Sequence, residues 1–374
     1  MVVREAQECA LRDLPLSYPV YVGRGLVDLL GDIVREHAPA HRIALIVDEN
    51  VASLHANRLR AAFGGQRVDL LRVPPGEQEK SRTQWARLTD ELCALDFGRD
   101  STIVAIGGGV VCDLAGFVAA TFMRGIPVVQ VPTTLLSMVD ASVGGKTAVD
   151  IPAGKNLVGA FHDPSAVVAD VAMLDSLPPA ELRVGMAEVL KHGIIADRNY
   201  FESTLHALPD IALRGAAATD LGELIAGSVR IKASVVAKDS REKGLRQVLN
   251  FGHTIAHAIE HCSNFAVRHG DAVAIGMIIE TRIAERMKLA TSGTCGAVLD
   301  AVRRAGLPSA MSDLGAHVAG MLSPQSLVDA TRHDKKSLAG AVRYALPRTI
   351  GAMEPADGRW SVAVPDEVVL MALG

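Results

Sequence analysis

The sequence predicts an α/β N-terminal domain built on a mainly parallel sheet, followed by a mostly α-helical C-terminal domain. Three observations lead there. The chain has 374 residues, more than one hydrophobic core comfortably serves, so two domains are the default expectation. In the first half, short β-branched runs alternate with helix-period stretches. From about Leu177 onward, helical patterns follow one another almost without interruption.

The strand-like runs are Tyr18–Val22, Ile43–Asp48, Val68–Val73, Ser101–Ile106, Val128–Val131 and Ala166–Val171. Strands that are apolar on both faces belong in a parallel sheet covered by helices on either side. Between them lie Gly25–Glu36, Val51–Phe63 and Ser81–Leu95, where apolar residues recur three and four apart. Pro178-Pro179 opens the second half, with helical patterns at Ala180–Ile195, Leu221–Lys238, Leu245–His261, Ala272–Lys288 and Gly296–Ala305. One short strand-like piece, Val342–Leu346, comes late. These changes set domains at 1–175 and 176–374, with the active site expected in a cleft between them. No internal repeat or low-complexity tract interrupts this plan.

Composition narrows the function. Hydrophobic residues make up 49% and charged residues 21%, ordinary for a globular enzyme. A net charge of −4 argues against a nucleic-acid or membrane-surface partner, which would want a basic face. An anionic small-molecule substrate must then be met by a local group of Lys and Arg. Cys9, Cys93, Cys112, Cys262 and Cys295 are odd in number and show no C-x-x-C spacing, which points to reduced thiols. The N-terminus has no continuous apolar run of the kind that signal peptides carry. Thr102–Phe122, the most apolar stretch, is broken by glycines and Asp113, so no membrane span is expected. A cytoplasmic location follows as the expectation.

The strand Ser101–Ile106 runs into Gly107-Gly108-Gly109-Val110 and then into a helical pattern containing Asp113. Glycines at such a turn let backbone N–H groups approach a pyrophosphate at a helix N-terminus, a Rossmann-like arrangement. The G-x-G-x-x-G spacing is absent, and a tight turn alone also favours glycine. Asp48-Glu49-Asn50 ends the second strand, where an acid can take ribose hydroxyls or simply cap a helix. The spacing leaves both open.

Asn250-Phe-Gly-His253-Thr-Ile-Ala-His257 puts two imidazoles at i and i+4 on one helix face. His269-Gly270-Asp271 opens the next helical pattern, and Glu188 lies inside the apolar helix Gly185–Lys191, where an acid is costly unless paired or ligating. One Glu with two or three His suits zinc with an open position. With 12 histidines in the chain, an i, i+4 pair also arises by chance, and His257 serves equally as a proton shuttle. Lys146, Lys155-Asn156, Lys191, Lys232, Arg246 and Lys335-Lys336 gather around these Gly and His segments. A single Lys is usually a solvated surface charge. Several beside a metal set suit a substrate with both a carboxylate and a phosphate.

These residues resemble a known family, the 3-dehydroquinate synthases. The resemblance rests on the contiguous stretches Val131–Ala148, Gly154-Lys155-Asn156-Leu157, Gly107–Asp113, Met186–Lys191 and Leu245–Thr254. It covers nearly the whole chain, from Tyr18 to Pro347. It implies zinc ligands at Glu188, His253 and His269, with cobalt as an alternative metal. It implies NAD contacts at Asp48, Asn50, Glu77, Lys80, Gly108, Gly109, Val110, Asp113, Thr133 and Thr134. Asp140, Lys146, Lys191, Lys232, Arg246, Asn250 and His257 fall in the substrate and catalytic set, with one of Lys335 and Lys336. Asp140, Lys146, Lys155 and Asn156 border both sets. Arg124 matches an arginine contributed across a homodimer interface.

The implied activity converts 3-deoxy-D-arabino-heptulosonate 7-phosphate to 3-dehydroquinate and phosphate in the shikimate pathway of aromatic amino acid biosynthesis. It runs through transient NAD-linked oxidation, phosphate elimination, reduction and intramolecular aldol closure, making the enzyme a lyase that does not consume NAD. Three positions depart from the family pattern: Cys112 and Ala256 where glycine is frequent, and Asp271 where glutamate is frequent. The rival readings are a sister sugar-phosphate cyclase, an alcohol dehydrogenase of the glycerol dehydrogenase type, and a non-catalytic NAD-binding scaffold.

Overall fold

The computed structural model describes residues 9–218, 221–332, 342–355 and 359–374. The chain forms two compact units. The first runs from the N-terminal segment through Pro178 and takes in Leu221–Ala233; the second comprises Pro179–Asp220 and Ser234–Gly374. The helix Leu221–Lys238, read from the sequence as part of the second domain, thus gives its first three turns to the first unit. Helical periodicity says which face is apolar but not which neighbour that face meets.

The first unit is built on six strands: β1 Val20–Gly23, β2 Arg42–Asp48, β3 Val68–Val73, β4 Ser101–Gly107, β5 Val128–Pro132 and, after a hairpin, β8 Ala166–Asp170. They form one sheet in the order β1-β8-β5-β4-β2-β3, with every pairing parallel. All six are the strands expected from the β-branched runs. Residues of β4 are buried along its whole length, as a strand covered on both faces requires. On one face Ile46, Leu71, Ile103 and Ala105 pack against Leu88 and Leu114, from the helices α3 (Arg82–Ala94) and α4 (Gly109–Thr121). The helices α1 (Leu30–His37) and α2 (Glu49–Ala61) complete the alternation.

The sheet order has a direct consequence for function. From β2 the chain winds outward to β3, then returns to β4 on the other side of β2. In an open parallel sheet such a reversal leaves a crevice outside the carboxyl ends of the two flanking strands. Here those ends are Asp48 and Gly107, brought level by the pairing of Val47 with Ile106.

The hairpin β6 (Lys146–Ile151) and β7 (Gly154–Phe161) was not foreseen. Gly154-Lys155-Asn156, read as a polar turn, instead begins β7. That strand is largely exposed, with Asn156 at φ 55°, so it lacks the apolar alternation that would mark it.

The second unit holds α5 (Pro179–Ala196), α6 (Arg198–Arg214), the end of α7 (Leu221–Lys238), α8 (His253–Cys262), α9 (His269–Arg286) and α10 (Thr294–Arg304), with shorter helices at Pro324–Thr331 and Asp366–Leu373. The continuous helix expected over Leu245–His261 is corrected. A 3-10 segment covers Leu245–Asn250, the backbone extends at Phe251, and Gly252 at φ 80° starts α8 afresh. A left-handed residue cannot continue a right-handed helix, and glycine takes that conformation without a Cβ clash. The late strand shortens to Arg343–Tyr344, antiparallel to Val362–Ala363. No helix among the described residues is long and apolar enough to cross a membrane. None of the five cysteines forms a disulfide.

Leu114 is fully buried between sheet and helix, whereas Leu54 is 64% exposed. Leu114→Ala is expected to lower unfolding free energy by about 2–5 kcal/mol. Leu54→Ala should change it by no more than about 0.5 kcal/mol. Urea titration of both variants checks this, and similar losses at the two positions would contradict the packing described.

Candidate active site

In the first unit the strand ends create the setting for an anionic, hydroxyl-rich ligand. Gly107 closes β4, and a Cβ there would sit 2.7 Å from the Val111 side chain; at Gly108 it would come within 3.3 Å of Thr134. Gly108 is the N-cap of α4 and offers no side-chain cap, which leaves the first-turn N–H groups of that 13-residue helix to an external acceptor. Beside it, Thr133 N–H donates to Gly107 O at 2.9 Å, so β5 delivers Thr133 and Thr134 to the same place. Across β2, Asp48 Oδ1 accepts from Asn50 N–H at 2.8 Å and from Val51 N–H at 3.3 Å. The capping alternative for Asp48 is therefore realised, and its second oxygen takes no part in the cap.

Past β3, a charge cluster forms. Lys80 is buried, and its Nζ donates to Asp113 Oδ2 at 2.8 Å, with Glu77 Oε1 at 3.9 Å and Asp150 Oδ1 at 4.0 Å. Lys155 Nζ reaches Glu77 Oε1 at 3.4 Å, and Asn156 N–H donates to Asp150 at 2.8 Å. Burial works against the Lys80 ammonium, but Asp113, Glu77 and Asp150 outweigh it and raise its pKa. The carboxyl of Asp150 is pushed up, chiefly by burial, against the pull of Lys80. Asp150 was missed from the sequence; its only signal is an acid between Val149 and Ile151 in β6.

Elsewhere in this unit, Lys232 Nζ donates to Asp140 Oδ1 at 2.6 Å, uniting two predicted residues 92 positions apart. Lys146 begins β6 as an exposed residue. Arg124 is exposed in a turn where Met123, Arg124 and Gly125 have φ of 50°, 70° and 116°.

In the second unit three elements converge. Glu188, from the middle of α5, is fully buried. His253 Nε2, from the first residue of α8, lies 3.5 Å from Glu188 Oε1; His269 Nε2, from the first residue of α9, lies 3.8 Å from it. Donor atoms of the three residues all fall within 4.8 Å of one another. Neither Glu188 oxygen accepts a hydrogen bond among the described residues; what they face is the ion-paired Lys191 Nζ and the two imidazoles. A buried carboxylate with two ring nitrogens turned toward it is a donor set that fits a divalent cation.

The far sides of both rings are also held. His253 Nδ1 donates to Phe251 O at 3.1 Å, and His269 Nδ1 faces Glu260 Oε1 at 3.4 Å. Such contacts fix which nitrogen is left for a metal. Glu260 was not singled out from the sequence. Its signal was there: it stands seven residues after His253, two turns along the same helix face. His257 stacks edge-on to His253 with ring centroids 5.7 Å apart, so the i, i+4 pair does share a face.

Arg246 is buried and donates from Nη1 to Ser240 O at 2.8 Å. Asn250 Nδ2 donates to Glu242 Oε1 at 2.7 Å. Burial opposes the Asp239 carboxylate, but N–H bonds from Lys243, Gly244 and Arg246 hold its pKa below the usual range and fix the loop that carries Arg246. Lys335 and Lys336 lie outside the described residues. Of the departures from the family pattern, Cys112 and Ala256 are buried packing positions, and burial pushes the Cys112 thiol up. At Asp271 burial raises the carboxyl against Arg183 and Arg268.

Comparison with known proteins supplies the decisive observation. The model of the 3-dehydroquinate synthase N-terminal region matches residues 70–184, and that of the C-terminal region matches 185–337. The chain belongs to the 3-dehydroquinate synthase family. It is 48% identical to the 3-dehydroquinate synthase of Symbiobacterium thermophilum, over 88% of this chain and 91% of that one. It is 42% identical to the enzyme of that name from Caulobacter vibrioides, covering 90% of each. Among solved structures, a 2-deoxy-scyllo-inosose synthase complexed with carbaglucose-6-phosphate, NAD+ and Co2+ superposes with a TM-score of 0.85 at 27% identity, over 95% of this chain and 96% of that one. The 2-epi-5-epi-valiolone synthase of Streptomyces hygroscopicus, with NAD+ and Zn2+ bound, gives 0.83 at 26% identity, over 96% of each. A structure described as a probable glycerol dehydrogenase from Sinorhizobium meliloti shares the fold alone, with a TM-score of 0.63 at 18% identity over 95% of each chain.

Lys80→Met would remove the buried cation that Asp113, Glu77 and Asp150 share, leaving only Lys155 beside Glu77. A loss of about 3–5 kcal/mol in stability at neutral pH is expected from breaking a buried pair. Carboxylates with raised folded-state pKa values cost stability above that pKa and are relieved as pH falls through it. The gap between parent and variant should therefore narrow from pH 7.5 to pH 5 in urea titrations. A gap that stays constant would show that the cost is not electrostatic.

Proposed function

We propose that this chain is a lyase that converts 3-deoxy-D-arabino-heptulosonate 7-phosphate to 3-dehydroquinate and inorganic phosphate, using NAD and a divalent metal. The observation that carries the reading is the convergence of Glu188, His253 and His269 beside Lys191, in a chain whose family match runs through both halves. Glu188, His253 and His269 would hold the metal, zinc or cobalt. Asp48, Asn50, Glu77, Lys80, Asp113, Thr133, Thr134 and the Gly108–Val110 turn would hold the dinucleotide. When bound, the metal supplies Lewis acidity and the dinucleotide a reversible hydride acceptor.

The chain's own residues divide the remaining work. Arg246, buried and anchored to Ser240, presents a planar cation suited to the substrate carboxylate, with Asn250 as a neutral partner. Lys191 keeps its ammonium beside Glu188, where it can balance charge that develops on a substrate oxygen. Lys146, Lys155, Asn156 and the Asp140–Lys232 pair add phosphate-binding and orienting groups. His257, half-buried one turn from His253, holds or moves the proton at a substrate hydroxyl. Lys335 and Lys336 are assigned to the substrate set by family resemblance alone. Five cysteines without a disulfide fit a reducing cytoplasm.

The first test supplies the protein with zinc, catalytic NAD+ and the heptulosonate phosphate, and follows phosphate and carbocycle together. Stoichiometric phosphate and dehydroquinate with no net NADH are expected. Sedoheptulose 7-phosphate and glucose 6-phosphate run alongside; turnover of either of these alone would transfer the chain to the sister cyclases.

We also propose a homodimer in which Arg124 completes the neighbouring active site. Its support is the exposed turn at Met123–Gly125, where three successive residues have positive φ and Arg124 lies exposed. Arg124→Ala is expected to lower kcat/KM by about 10²-fold or more without changing Tm. Co-expression with an inactive Lys191→Ala chain should recover activity through hybrid dimers. No recovery would count against a shared site.

A further inference from the structure

Glu280 is a carboxylate with no exposed surface, three turns into α9, and no role above uses it. Three backbone N–H groups at the start of another helix are among its partners. Oε2 accepts from Gly252 N–H at 2.7 Å, and Oε1 accepts from Thr254 N–H at 3.1 Å and Ile255 N–H at 3.2 Å. These are the N-cap and first-turn amides of α8, the helix whose first residue is His253. Gly252 offers no side chain to cap them. A buried anion reached from elsewhere thus satisfies amides that would otherwise be orphaned, and it sits where the helix dipole favours negative charge.

The same two helices touch backbone to backbone at this point. A Cβ on Gly276 would lie 2.0 Å from Gly252 O, and one on Gly252 would lie 2.8 Å from Met277 Cγ. Gly252 also needs its φ of 80° to break the chain just before His253. The start of α8 is therefore fixed in direction by glycine and in position by Glu280. Meanwhile α9 contributes His269 from its own first residue. One helix carries both a ligand and, about 16 Å further along its axis, the clamp on the backbone of another ligand.

The geometry points to Glu280 as a positioning residue for the metal centre. By gripping the amides on both sides of His253, it sets that imidazole against Glu188 and His269 before any metal arrives. The inference rests on the reading of Glu188, His253 and His269 as metal ligands. Because Glu280 lies at none of the ligand atoms, its removal should alter how well the three donors converge rather than which donors are present.

Glu280→Gln keeps the volume but replaces one acceptor oxygen with an N–H donor that confronts the amides of α8. Zinc affinity of the full-length variant, measured by competition with a chromogenic chelator, is expected to fall by about 10–100-fold. The cobalt(II)-loaded variant should show visible bands shifted from those of the parent. Glu280→Asp, which keeps the charge and retreats by one methylene, should fall between parent and Gln in both measurements. It keeps the test decisive where the Gln variant does not fold. Ile211→Ala, a buried cavity variant in α6, serves as the control for general destabilisation. It is expected to lower Tm without moving zinc affinity. Parental zinc affinity and cobalt spectrum in the Glu280 variants would overturn the proposal, as would an equal loss of affinity in Ile211→Ala. A parent chain that takes up neither zinc nor cobalt would instead overturn the metal assignment on which it stands.

Discussion

Glu188 carries a carboxylate into the middle of a helix whose neighbouring residues are apolar and buried. In such a place an unpaired charge is costly enough to reorganise everything around it. The second unit is arranged about that constraint. Lys191 lies against the carboxylate from the same helix, and the first residues of α8 and α9 aim imidazole nitrogens at it. The N-cap of α8 is Gly252, which has no side chain for the first-turn amides, so they need an acceptor from elsewhere. For α8 that is Glu280, and the sharp start at Gly252 is needed for the amides to be gathered there. The outer contacts of both rings, at Phe251 O and Glu260, leave Nε2 as the face turned inward.

The first unit solves a different problem with the same economy. Reversal of winding between β2 and β4 aligns two strand ends and the start of α4, so backbone amides and glycine turns line the crevice there. Next to it lies Lys80, one buried cation among three carboxylates. Burial alone would drive that lysine toward neutrality; the surrounding acids reverse the outcome. The cluster therefore holds its shape through charge balance rather than apolar packing, and Lys155 ties the β7 hairpin into it through Glu77.

Much of the fold was legible because parallel strands are apolar on both faces. All six sheet strands can be read from runs of Val, Ile, Leu and Ala, and β4 is buried along its whole length. The hairpin β6–β7 could not be read this way: Thr147–Val149 of β6 are buried, but Gly154–Phe161 is largely exposed and has no repeating apolar face. The break at Phe251-Gly252 was hidden for the opposite reason. Apolar spacing continues through it, and only the backbone conformation of one glycine separates two helices. In the site, Glu188 and the His253–His257 pair stood out as polar residues in apolar or periodic settings. Glu260 could have been read from its place seven residues after His253, and Glu280 from its apolar helix, but the partners that give Asp150 and Glu280 their roles lie far away in the chain.

The sequence by itself determined the order and type of the main elements, the glycine turn after β4, and the residue types that can bind an anion or a metal. Each of these follows from local chemistry: side-chain periodicity, backbone freedom at glycine, and the cost of burying an acid. Tertiary structure alone decided which of those residues meet. Asp140 and Lys232 stand 92 positions apart, yet their side chains share a hydrogen bond. Glu280 holds a helix that begins 27 residues before it in the chain, at His253. Pairings of this kind depend on how helices and strands pack across long separations in sequence, and no local pattern records them.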